Sequence, residues 1–283
     1  GAAPGGSLSF TSGPQTLIAG QPSQAVQVGL TSPATSAVNV SLSSSSSTGV
    51  FATSPTGPWS PALQLSVAAG QAAPPPFYYQ DTKAGSPVLT AASSGSTATQ
   101  TETVNAAALS AITVSPTTAS VIVGASKAFS AVGADAYGNP VSTSGAVWGT
   151  TVSGGSVQPV TGSSTTFTAG NLTAQGTVTA ALGTAVGSAT VTVTPVPAPT
   201  NLTASQKGKQ RISLSWQGPS GLTFNVHRGS GPGAETLLAA GVRTTTYDDT
   251  RVVSRSTYYY YVVAVGPSGV LSAPSAEASA TAK

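Results

Sequence analysis

The sequence predicts an all-β protein: three tandem β-sandwiches forming an elongated rod. Three observations carry that prediction. Apolar and polar residues alternate in short runs, the pattern of half-buried strands. The runs recur at roughly 8–12-residue spacing, with Gly, Pro, Ser and Asn between them. No stretch shows a convincing helical period. A sandwich of this kind needs about 100 residues, so a chain of 283 holds three.

The clearest runs, in order, are AVQVGL (25–30), AVNVSL (37–42), LQLSV (63–67), ASVIV (119–123), TVTAAL (177–182), ATVTV (189–193), ISLSW (212–216) and FNVHR (224–228). Each is predicted as a strand. Two connectors divide them. TVNAAALSAITVSP (103–116) leads from one strand almost directly into another, and TVTPVPAPTNLTA (192–204) passes through prolines. Proline stiffens a linker and cannot donate to a ladder. The predicted sandwiches are therefore 1–107, 108–195 and 196–283. The Pro74–Pro76 run must lie outside a central ladder, because three consecutive residues lack N–H.

Composition limits function. Charged residues are 6% of the chain, against about 25% in an average globular protein. The surface is thus polar but nearly uncharged, and little charge repulsion opposes lateral association. The net charge of +3 belongs to the last ninety residues or so. Its cations are scattered along strands and turns, unlike the dense basic footprint of a nucleic-acid binder. Cys and Met are both absent, so disulfides and thiolate chemistry are excluded. No run of about 18 apolar residues predicts a membrane helix. The chain begins GAAPGGSLSF, without Met, as a processed product would. That start places any export signal or anchor outside it.

The residues 112–141, ITVSPTTASVIVGASKAFSAVGADAYGNPV, with AVWGT (146–150), TTFTAG (165–170) and ATVTV, resemble bacterial Ig-like (Big) domains. The resemblance implies that Trp148 is the core indole, faced by Phe129, Ala131 and Val141. The segment PAPTNLTA, ISLSW, FNVHRG, TTYDDT and STYYYYVVAVGPSGVLSAPS resembles a fibronectin type III domain, with Trp216 in its core. The segment 57–92 looks like a further Ig-like module, with Trp59, Phe77 and Tyr79 as core aromatics and Tyr78 and Gln80 on the other side. The whole chain then resembles tandem Ig-like and fibronectin III-like modules of bacterial surface or secreted proteins.

Four of the eight tyrosines stand in one run, STYYYYVVAV (256–265). Strand side chains alternate between faces. Tyr258 and Tyr260 share one face with Val262 and Ala264. Tyr259 and Tyr261 share the other. By the fibronectin III resemblance the first pair faces the core, and Tyr258 sits at the tyrosine corner, its hydroxyl bonded to backbone. The second pair shares an outer face with Asn225 and His227. That set is the candidate contact face. It is open to three readings: plain cross-strand pairing, a protein contact, or a platform for a sugar ring.

Reaction chemistry is not predicted. His227 is the only histidine, so a His-based metal cluster or a catalytic triad lacks its members. Asp248 and Asp249 point to opposite faces and cannot act as a pair. Asp81 and Lys83 share a face and are placed to form an ion pair. Lys127 and Asp135 supply two members of an intramolecular isopeptide, but no Asn lies on the expected closing strands. No catalytic residue, cofactor or metal ligand is assigned. The resemblance implies a non-catalytic extracellular structural or adhesion module: a stalk, surface or filament subunit that acts by spacing and by association with itself or other surface proteins. The alternative is an accessory spacer or carbohydrate-binding region of a secreted polysaccharide-degrading enzyme.

Overall fold

The computed structural model describes residues 6–283; residues 1–5, which open the first predicted sandwich, lie outside the described residues. The chain is all-β: the described residues form strands, turns and loops, and none is helical. All eight runs singled out above lie in or overlap strands. Alternation is a guide where one face of a strand is buried, as in Val38–Ser44, Ala185–Thr194 and Ile212–Gln217.

The first group of strands is β1 (Leu8–Phe10), β2 (Thr16–Ile18), β3 (Val28–Leu30), β4 (Val38–Ser44), β5 (Val50–Ala52), β6 (Leu63–Val67), β7 (Tyr78–Gln80), β8 (Val88–Ser93), β9 (Ser96–Thr101) and β10 (Thr103–Asn105). They form a four-stranded sheet in the order β6-β4-β8-β9 and the pairs β1-β3, β10-β2 and β5-β7. Val38, Val40 and Leu42 of β4 alternate inward with Asn39 and Ser41 outward. Their core also takes Leu65, Leu89, Phe51, Phe77 and Tyr79. Pro74–Pro76 lie outside any strand.

The second group is β11 (Ala111–Ser115), β12 (Thr118–Ile122), β13 (Ser126–Ala134), β14 (Pro140–Val141), β15 (Val147–Thr150), β16 (Ser156–Gln158), β17 (Ser164–Thr168), β18 (Ala174–Leu182) and β19 (Ala185–Thr194). One sheet runs β11-β13-β17-β16, with β14 on β13, and the other runs β12-β19-β18-β15. The third group is β20 (Thr200–Gln206), β21 (Ile212–Gln217), β22 (Thr223–Gly229), β23 (Thr236–Val242), β24 (Thr246–Asp249), β25 (Thr257–Val265) and β26 (Ala278–Thr281). Its sheets are β20-β21-β24 and β23-β22-β25-β26. Trp216 of the first meets Phe224 of the second edge-on, ring centroids 5.5 Å apart at 72°. Such a pair adds about 0.5–1.5 kcal/mol beyond the burial itself. Among the described residues no ladder joins strands of different groups.

By packing, the chain forms two compact units. One takes the residues up to Ile112 together with Val132–Ser142; the other takes Thr113–Ala131 and Thr143–Lys283. The 132–142 turn belongs to the first unit for a physical reason. Asp135 is buried there and accepts the Ala107 N–H at 2.8 Å. Asn139 donates to the Thr82 carbonyl and accepts from the Ala84 N–H, both at 2.8 Å. Within the second unit, Gly124 sits at φ +73°, and a Cβ there would lie 2.9 Å from the Ser268 backbone nitrogen. That approach needs glycine.

Candidate functional site

The candidate face lies on the sheet β23-β22-β25-β26. Antiparallel register sets Asn225 opposite Val263, His227 opposite Tyr261, and Gly229 opposite Tyr259. On the other side of β22, His227 pairs with Leu237 of β23. Leu237, His227 and Tyr261 therefore form one row across three strands. Leu237 is 55% exposed. Tyr259 lies opposite Ser279 of β26.

The row is not a flat platform. The His227 and Tyr261 rings stack on each other, centroids 4.4 Å apart and 13° from parallel. Each ring has spent one π-face on the other. The Tyr261 hydroxyl also lies 3.1 Å from His227 Nδ1. Burial pushes the imidazole pKa down, and the Glu235 charge offsets only part of that. Asn225 is engaged as well: its Oδ1 accepts the Gly241 N–H at 3.1 Å. Three of the four side chains, Asn225, His227 and Tyr261, thus have a polar partner within the sheet.

Beneath this sheet lies a network that sequence reasoning missed. Asp249 is 1% exposed. Its Oδ2 accepts the Tyr260 hydroxyl at 2.9 Å and Arg228 Nη1 at 2.9 Å. Its Oδ1 accepts the Arg251 N–H at 2.9 Å. Arg228 also donates to the Arg251 carbonyl, at 2.8 Å, and lies 4.9 Å above the Tyr258 ring. Burial, followed by the hydrogen bond to Asp249, raises the Tyr260 hydroxyl pKa well above its ordinary value. The one available signal was the alternation that sets Asp248 and Asp249 on opposite faces. It places one of them inside, and an inside carboxylate needs partners.

Three more carboxylates are interior. Asp81 is buried and accepts the hydroxyls of Thr48 and Tyr79 and the Lys83 N–H. The predicted Asp81–Lys83 ion pair does not form: β7 ends at Gln80, so the two residues share no strand, and Lys83 reaches Asp81 through its backbone. Burial raises the Asp81 pKa, but the Thr48, Lys83 and Tyr79 donors outweigh it and hold it below the usual range. Glu102 is buried and accepts the Gln100 amide and the Gln15 N–H. Asp135 also accepts the N–H groups of Tyr137 and Asn139 and the Asn139 amide. Burial opposes its ionisation, yet the Asn139 amide and the Ala107, Asn139 and Tyr137 amides hold its pKa down to about 2. Lys127 is exposed on β13.

The structural residues are placed as follows. Trp148 and Trp216 are each 3% exposed, and Tyr260 is fully buried. Trp148 Nε1 donates to the Gly162 carbonyl at 2.8 Å. Phe129 and Ala131 are buried, and Val141 is half-buried. Tyr258 is half-buried rather than in the core, because its ring lies under the Arg228 guanidinium. Its hydroxyl accepts the Val253 N–H at 3.0 Å. Trp59 is also half-buried and stands apart from the core cluster. Its indole covers its own turn instead: a Cβ on Gly57 would lie 2.9 Å from Trp59 Cδ1. Among the described residues, no three His, Asp or Glu side chains gather as a metal ion requires. No helix of the described residues is long and apolar enough to cross a membrane.

No protein-family model matches the chain, and no curated protein matches it. Among solved structures, an Fn3-like protein from Clostridium thermocellum is 36% identical over 29% of this chain and 86% of its own, with a TM-score of 0.27. The FN1–FN3 domains of chicken CNTN1 align over 100% of this chain and 99% of theirs, at 11% identity and a TM-score of 0.37. Domains from titin align over 98% and 99%, at 13% identity and a TM-score of 0.31. These scores fix no family.

Proposed function

We propose that the chain is a non-catalytic extracellular or cell-surface module of three tandem sandwiches, bounded at 1–107, 108–195 and 196–283. It works by spacing and by protein–protein association, as a stalk, surface or filament subunit. One observation supports this above others. Asp81, Glu102, Asp135 and Asp249, four of the seven acidic residues, are buried and committed to hydrogen bonds that hold the fold. Groups spent on structure are not free to serve as the acid or base of a reaction. Absence of Cys and Met suits an oxidising exterior.

The contact face for association is Asn225, His227, Tyr259 and Tyr261. An accessory role beside a polysaccharide-degrading enzyme is the second reading, with Tyr259 and the outer ring faces offered to sugar. One comparison separates the two. Sedimentation of the whole chain and retention on insoluble glycans are measured before and after Tyr259→Ala and Tyr261→Ala. Loss of self-association or partner binding with no glycan retention is the expected result. Glycan retention that disappears in these variants would replace the structural reading with the accessory one.

A further inference from the structure

We infer that the free edge of β23 is a pairing site for a second copy of this chain, joined antiparallel about a two-fold axis at Ala239. The inference rests on the reading of an associating module given above and adds to its contact face a second surface, the edge of the same sheet.

β23 is bonded to β22 on one side and to no strand on the other. Its residues, TLLAAGV, carry no charge and no proline. Edge strands are ordinarily blunted by charge, by short length or by cover. The other edges of this module are protected in those ways. β24 carries Asp248, paired with Arg211 at 3.4 Å. β26 has four residues, and β20 lies alongside it. In the first two groups the sheet-edge strands have six residues or fewer, and β9, the one with six, lies alongside β1. Among the described residues β23 is the longest edge left open.

Charge selects both the occupant and the register. An antiparallel pair of identical strands centred on Ala239 sets Leu238 opposite Ala240 and Leu237 opposite Gly241. The exposed Leu237 thus meets a residue without a side chain. Beyond the uncharged stretch, the same register sets Glu235 of each copy opposite Arg243 of the other, twice by symmetry. In the single copy neither joins an ion pair among the described residues. Glu235 is hydrogen-bonded to the Glu277 carboxyl group, to the Gly233 N–H and to its own N–H, with His227 nearby, while its Oε1 is buried without a partner. Arg243 is exposed and joins neither of the two ion pairs among the described residues. Pairing would extend the Leu237–His227–Tyr261 row into a second copy. Register shifts in the β22–β23 ladder bend the strand. They keep the joint short, at the small end of interface sizes, below about 1,200 Å².

A charge-swap series on the whole chain at low salt tests this. Wild type should show a weak monomer–dimer equilibrium by sedimentation velocity. Glu235→Arg and Arg243→Glu should each raise the dissociation constant by about tenfold or more, since two opposed pairs become like-charged. Mixing the two single variants should restore a heterodimer. A separate variant, Ala239→Cys, adds the only thiol and should cross-link to itself on oxidation, whereas Ala240→Cys should not. Thermal unfolding of each variant checks that the fold is intact. A wild type that is monomeric at every concentration would sink the pairing but leave a spacer role standing. Self-association that both single variants retain would also sink it, while leaving an associating module that uses another surface.

Discussion

At the residue scale, Asp249 is the position where most depends on one side chain. Three donors converge on it, and one of them, Arg228, carries the compensating charge. Replacing it by Asn removes that charge balance and one strong acceptor while leaving the volume unchanged. Breaking a buried pair leaves the partner uncompensated. Arg228 is still 24% exposed, so water recovers part of the loss. Asp249→Asn should therefore destabilise the sheets formed by β20–β26 by about 2–3 kcal/mol, and Tyr260→Phe by about 1 kcal/mol. Chemical denaturation with a constant m-value measures both. Equal losses in the two variants would show that the charge contributes nothing beyond a hydrogen bond.

Alternation could sort Tyr258 and Tyr260 from Tyr259 and Tyr261, since a strand has only two faces. It could not say that the Tyr261 ring would lie flat on His227 rather than open to solvent. That depends on register between strands 34 residues apart. Trp59 and Tyr258 make the same point. Large aromatics suggest core, yet one covers its own turn and the other lies under a guanidinium.

At the element scale, turns do more than reverse the chain. The 132–142 turn is stitched to Thr82, Ala84 and Ala107 by two polar side chains. The Gly124 turn works by lack of a side chain, since its backbone approaches Ser268 and its φ is +73°. A Gly124→Ala change meets both problems at once. A non-glycine residue held in that region costs about 1–3 kcal/mol, and the Cβ must displace Ser268. The loss should appear as lower stability and faster amide exchange at Val123–Ala125 and Ser268–Gly269. Exchange unchanged at Ser268 would mean that the two turns do not depend on each other.

For the whole molecule, placement of acids sets the response to pH. The first unit buries all three of its acidic residues, Asp81, Glu102 and Asp135, each hydrogen-bonded. Asp135 has a folded pKa of about 2, below the value of about 3.9 in an unfolded chain. Asp81 is shifted in the same direction. A depressed carboxyl stabilises the fold fully above the unfolded value. That stabilisation is lost as pH falls through the folded one. The first unit should accordingly hold its melting temperature from pH 7 to about 4 and lose it toward pH 2. Asp135→Asn should start lower at neutral pH and lose less on acidification. Parallel melting profiles for the two proteins would refute this account of the turn.

The strands singled out above, the turn residues between them and the scarcity of charge are legible in the residue order alone. Period-two alternation and Gly or Pro turns are local properties, and local properties survive without a partner strand. Which groups meet, and which edge of a sheet is left open, emerges on folding: Asp249 with Arg228, Asn139 with Thr82, His227 with Tyr261. A strand's pattern says which side faces inward. Strand order and register, fixed by burial over long separations, say what waits there.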